Sequence, residues 1–174
     1  EQLGFMAEEQ IPGDELGRHI HLLLTVKRTE ERAPDLLTIR GQVVKSIADR
    51  VLAAQEGDWF ASEVRHHMKR VLKRLDVTAR TLLAVVDEGS AFGGSLFEVA
   101  LAADRSYMLA SDDGPRVALS ALNRGALPMA NGLTRLQTRF LGRPEQVDAL
   151  PWDEPMDAEA ALAAGLVTFA PDEI

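Results

Sequence analysis

The spacing of apolar positions changes several times along the chain, and each change predicts an element. From Asp14, Leu16, Ile20, Leu23 and Leu24 recur at helical spacing with Asp14 as N-cap, which predicts a helix after a loosely specified lead-in over 1–13. The charged cluster from Lys27 to Arg32 runs into Ala33-Pro34, and the residue before a proline is pushed out of the helical region. Leu36-Leu37-Thr38-Ile39 is short, apolar and partly β-branched, which predicts a buried strand. From Val43 to about Ala54, Val44, Ile47, Val51 and Leu52 share one helical face. Trp59 to Leu75 forms a second amphipathic helix, with Trp59, Phe60, Val64, Met68, Val71, Leu72 and Leu75 on one side. Its other side carries Arg65, Lys69, Arg70, Lys73 and Arg74. That stripe reads as a solvated face with favourable charge near a helix C-terminus, in preference to a phosphate site.

The second half alternates faster. Thr81 to Val86 is a continuous apolar run, a buried strand ended by Asp87-Glu88-Gly89. Ser90 to Ser95 forms a Gly-bearing turn, and Leu96 to Ala103 follows as an apolar helix. Tyr107 to Ala110 and Val117 to Leu119 are predicted strands, and Leu133 to Leu141 a further amphipathic helix. Near the end, Asp157 is placed to cap a helix over Ala158 to Ala164, Gly165 closes it, and Leu166 to Phe169 reads as a last strand. Strands alternating with helices indicate an α/β domain.

Composition narrows the function. The 174 residues are one domain's worth of chain, and the formal net charge of −8 argues against a broad nucleic-acid or anionic-membrane surface. No cysteine is present, which removes disulfides, thiolate nucleophiles and Cys-ligated metals. No apolar run approaches the ~20 residues that span a bilayer, and the first residues lack the pattern of a secretory signal. A cytoplasmic protein is the expectation. His19 and His21, and adjacent His66 and His67, lack the spacing that puts two imidazoles on one helical face, so no metal site is predicted. Asp112-Asp113-Gly114-Pro115 reads as a turn, and Ser90 and Ser95 have no His or Asp tied to them as a triad would need. Ser95 is expected to cap the helix it opens, and Trp59 and Trp152 to pack or to meet a partner.

The chemistry centres on the turn. A helix that opens after a Gly-rich turn points free N–H groups at whatever lies there, which suits an anion or oxyanion. Gly93 and Gly94 also let strand and helix pack closely, so a purely structural reading of the pair stays open. Neither a dinucleotide fingerprint nor a P-loop is present. Glu98 lies one turn further in, within Leu96-Phe97-Glu98-Val99-Ala100-Leu101. A carboxylate in such a run is either paired with a cation or polar group, or kept for acid–base work with a raised pKa. Asp104 is open to a catalytic role, a helix cap or an ion pair.

The run from Gly89 to Asp104 resembles the signature helix of the crotonase (enoyl-CoA hydratase/isomerase) superfamily, with Glu98 and Asp104 at the family spacing. Val117 to Leu136, with Gly125, Pro128, Gly132 and Arg135, is similar to the next segment, and Asp157 to Val167 to a recurring A-x-x-A-x-x-x-G-L-V element. Arg74-Leu75-Asp76-Val77, Ala100 to Leu109, Pro128 to Gly132 and Gly165 to Asp172 resemble the C-terminal half of a ring-opening member with two crotonase-like halves.

The resemblance implies a ClpP/crotonase fold of stacked β-β-α units, as one domain over 1–174 that is incomplete at both ends. It implies a lyase or hydrolase-like step on an aromatic-derived CoA thioester, with the thioester as substrate and no cofactor. Gly94 and Ser95 would give the oxyanion-binding backbone, and Glu98 would position or deprotonate water. The implied partners are the acyl-CoA and a second crotonase-like domain or further copies in a trimer or hexamer. Ser95 stands where the family has Gly, Ala121 where it has a second acid, and Gln42-Val43-Val44-Lys45 where the other oxyanion loop would follow Gly41. An ordinary acyl-CoA hydratase or isomerase, and a non-catalytic half used in assembly, therefore stand beside the lyase.

Overall fold

Continuous β-branched and leucine-rich runs set the sheet. In the computed structural model, which describes residues 23–27, 35–40, 47–55 and 57–174, four strands lie in the order β1 (Leu23–Lys27), β2 (Asp35–Arg40), β3 (Leu82–Val86) and β4 (Arg105–Met108). β1 pairs antiparallel with β2, whereas β2, β3 and β4 run parallel. Parallel neighbours need a crossover between them. Helices α1 (Ile47–Ala54) and α2 (Trp59–Asp76) connect β2 to β3. A 3-10 turn (Gly94–Leu96) running into α3 (Phe97–Leu101) connects β3 to β4.

The remainder is built of short pieces. They are β5 (Val117–Ala118), a 3-10 turn (Ala121–Arg124), α4 (Arg135–Arg139), α5 (Glu145–Asp148), β6 (Pro155–Met156) and α6 (Ala158–Ala163). β5 and β6 form a two-stranded antiparallel ribbon, and Gly93 bridges to Ala118 beside it. The architecture is mixed α/β, as the alternation of patterns predicts. Capping chemistry starts several helices. Asp58 accepts from the Ala61 N–H at 2.8 Å, Asp157 from the Ala160 N–H at 2.9 Å, and Thr134 and Gln137 exchange bonds at the head of α4.

The core has two parts. The larger joins β3, α3 and β4 to the C-terminal segment through Val86, Phe92, Phe97, Met108, Leu136 and Leu166. The smaller sits under α1 and α2 around Leu72, Leu122 and Leu127, and Val99 packs against both.

Several expected elements differ. Leu23 and Leu24, expected in a helix, lie in β1, and the rest of that expected helix and the 1–13 lead-in lie outside the described residues. The α1 face is also different: Val51 is half exposed and Asp49 is buried. On α2, Leu72 is buried but Trp59 and Phe60 are exposed, with their rings edge to face.

The strand expected at Tyr107 to Ala110 starts two residues earlier, because the parallel register matches Arg105 with Leu83. Leu133 to Leu141 contracts to α4 between the Thr134 cap and Phe140. Leu166 to Phe169 is not a regular strand; Phe169 alone makes a bridge, to Tyr107. Backbone bonds continue this contact, from the Met108 N–H to Phe169 O at 3.0 Å and from the Ala110 N–H to Pro171 O at 2.8 Å. Asp112 to Pro115 is a turn, closed by the Gly114 N–H on Ser111 O at 2.9 Å.

Candidate functional site

β3 delivers the chain to the expected site. Its end is fixed by Ser90, whose Oγ accepts from the Asp87 N–H at 3.0 Å and donates to Asp87 Oδ1 at 2.8 Å. The chain then passes Gly93 and enters the 3-10 turn at Gly94, where φ is +57°. A side chain there is disfavoured by the backbone and by space, since a Cβ would stand 2.1 Å from Asp49 Oδ2.

Asp49 reaches this turn from α1. Its Oδ2 accepts from the Ser95 N–H at 2.6 Å and from Ser120 Oγ at 2.7 Å, and its Oδ1 accepts from Ser95 Oγ at 2.7 Å. Only 3% of Asp49 is exposed. Such a carboxylate is satisfied by charge-assisted bonds. The Ser95 hydroxyl is therefore not a helix cap but a donor to Asp49. The Ser95 backbone N–H, expected to face a ligand, is engaged by a side chain of the same protein.

Glu98 is fully inside, at 1% exposure. Asn123 Nδ2 donates to its Oε1 at 2.7 Å, and Arg135 Nη1 to its Oε2 at 2.9 Å. Burial pushes the Glu98 carboxyl above its ordinary value, while Asn123 and Arg135 pull it back and Asp76 adds to the rise. Arg135, buried on α4, also donates through Nη2 to Asp76 Oδ1 at 2.7 Å and to Leu72 O at 3.0 Å. Glu98 is thus both paired and raised, the features of the two readings left open for it.

These contacts form one buried chain of polar groups. Ser120 links Asp49 to Asn123, whose Oδ1 accepts from the Ser120 N–H at 2.8 Å. Asn123 also donates to Gly94 O at 3.0 Å and so ties the turn to Glu98. From Asp49 to Asp76 the chain passes through Ser120, Asn123, Glu98 and Arg135 and joins α1, the turn, α4 and the end of α2. Asp76 Oδ2 and Arg135 Nε lack a hydrogen-bond partner among the described residues.

A cavity of about 310 Å³ lies at the far end of α3 from the Gly turn, with Asp76, Asp104, Arg135 and Arg139 in its walls. Burial lowers the Arg139 pKa, and its Nε donates to Gly165 O at 2.5 Å. Asp104 serves the sheet: its Oδ2 accepts from the Leu82 N–H at 2.8 Å and its own N–H donates to Leu82 O at 2.9 Å. Among the described residues no group of His, Cys, Asp or Glu is arranged to hold a metal ion, and no helix is long and apolar enough to cross a membrane. Trp152 lies under Arg124, 4.2 Å from guanidinium carbon to ring centre.

Sequence reading brought Gly94, Ser95 and Glu98 to one segment, which is where they lie. It missed Asp49, Ser120 and Asn123 as members of the network, and named Arg135 only within a family segment. Two signals carried part of this. Asp49 shares its helical face with Leu52 and Ala53, and Arg135 adjoins Leu136 on the expected amphipathic helix.

No family model matches the chain. The chain is 41% identical over 136 residues to the benzoyl-CoA-dihydrodiol lyase of Aromatoleum evansii, an alignment that takes in 76% of this chain and 24% of that protein. It therefore spans about a quarter of the length of the curated relative it matches.

Proposed function

We propose that the chain is a crotonase-like part of a lyase that acts on an aromatic-derived CoA thioester, in the ring opening of benzoyl-CoA dihydrodiol or 2,3-epoxybenzoyl-CoA. One observation carries this reading: the 41% identity to benzoyl-CoA-dihydrodiol lyase over 76% of the chain. The succession β3, Gly turn, α3 and parallel β4 supports a crotonase-type fold.

In the mechanism, the thioester oxygen rests against the backbone N–H groups near Gly94 and Ser95, where donors stabilise the charge of an enolate. Glu98 positions or deprotonates water. Ser95 is free for this only when the Asp49 carboxylate is withdrawn, and Glu98 reaches water only when Arg135 or Asn123 releases one of its oxygens. The substrate is the acyl-CoA, and the working partner is a second crotonase-like domain or further copies of the chain.

A second reading has specific support. The engaged Ser95 N–H, the paired Glu98 and the alanine at position 121 suit a half that serves assembly while another domain carries the chemistry. Glu98→Gln in the intact native protein separates the two. With Glu98 as the acid–base group, turnover of the epoxide or dihydrodiol thioester falls by about 10²-fold or more. Unchanged turnover with an intact far-UV spectrum assigns the chemistry elsewhere and leaves this chain its assembly role.

A further inference from the structure

We infer that Asp49 is a resident anion: its carboxylate fills the Gly93–Ser95 turn and shuts that turn to any anion from outside. Three donors from two separate segments converge on it, the Ser95 N–H, Ser95 Oγ and Ser120 Oγ, all within 2.7 Å. A carboxylate accepting three such bonds while 3% exposed has both its oxygens satisfied by the protein itself. The fit is tight on the fourth side as well, because the absence of a Cβ at Gly94 is what leaves room for Oδ2. Asp49 stands on α1, a separate element from the turn, so the contact depends on where that helix sits. An incoming thioester oxygen needs the Ser95 N–H that Asp49 holds. The two compete, and the apparent affinity for the incoming group is reduced by the fraction of molecules in which Asp49 is seated.

The test uses the intact native protein with Asp49→Ala, which removes the carboxylate, and Asp49→Asn, which keeps its shape. The first measurement is thermal unfolding in sodium formate against equal sodium chloride. Formate, a carboxylate small enough for the vacated space, raises the midpoint of Asp49→Ala selectively and leaves the unsubstituted protein unmoved. No selective gain in Asp49→Ala overturns the inference. If Asp49→Ala does not fold, Asp49→Asn carries the test through the second measurement.

That measurement is calorimetric titration with benzoyl-CoA, and it alone rests on placing the thioester oxygen at the turn. Both variants then bind more tightly than the unsubstituted protein, Asp49→Ala by about tenfold or more. Equal binding by all three proteins overturns the block while leaving the thioester reading intact. Formate rescue without any gain in thioester binding upholds the resident anion and removes the thioester from this turn.

Discussion

Arg135 is the residue on which the buried polar chain turns, because one guanidinium serves both Glu98 and Asp76. Removing one partner from a buried ion pair leaves an uncompensated charge, and here two carboxylates would lose their cation together. Arg135→Met should destabilise the fold by about 3–5 kcal/mol, read from urea unfolding. A loss well under 1 kcal/mol would show the network to be wetter than its burial implies.

Glu98 gives the protein a pH signature. Burial raises its folded pKa above the ordinary 4.5, so the folded chain holds that proton more firmly than the unfolded one. Its contribution to stability is therefore full below the ordinary value and lost as pH rises through the raised one. Urea unfolding of the unsubstituted protein and of Glu98→Gln between pH 8 and pH ~4.5 should show the difference moving in favour of glutamate as the solution is acidified. Movement in the opposite direction would mean that Arg135 outweighs burial.

Among the elements, β3 was legible and the buried face of α1 was not, for one reason each. A parallel strand inside a sheet tends to be apolar throughout, and Leu82 to Val86 states that without help from elsewhere, with Leu82, Ala84 and Val86 buried and Leu83 and Val85 half-buried. A short helix beside a polar cluster does not follow the rule that apolar residues go inside. Val51 is half exposed and Asp49 buried because the donors that compensate Asp49 lie 46 and 71 positions further along the chain. No local pattern contains that information. Leu166 to Phe169 failed differently: its composition suits a strand, but Leu166 and Val167 turn into the core behind Gly165, so regular pairing never starts.

The turn between β3 and α3 gives the sharpest test at this scale. Gly94→Ala should cost about 2–4 kcal/mol, from the left-handed backbone and from the displaced carboxylate. In an Asp49→Ala background the second part disappears, so a double-mutant cycle should return a coupling of about 1 kcal/mol or more. Strict additivity would place Asp49 away from the turn.

Across the whole molecule, Val99 is the one hydrophobic residue among those described that packs against both core clusters. This predicts unequal robustness. Leu127→Ala, in the smaller cluster, should destabilise by about 2–5 kcal/mol. Hydrogen exchange should then quicken first in α1 and α2, while β3 amides stay protected until global unfolding. Simultaneous loss of protection everywhere would mean that the two clusters act as one. The division also explains what could be read from sequence of the candidate site. Gly94, Ser95 and Glu98 are consecutive features of one segment, whereas the residues that determine their state, Asp49, Ser120, Asn123 and Arg135, come from both sides of the clusters' seam.

The backbone bonds from β4 to Phe169 and Pro171 bear on solubility. β4 ends the sheet, and an uncovered terminal strand is a template for pairing with another molecule. Residues 168–171 occupy that row of donors and acceptors, and the Tyr107 and Phe169 rings stack over it with centres 5.0 Å apart. The last few residues of this segment thus act as a selvedge, holding the sheet at four strands on this side and denying its border to edge-to-edge growth.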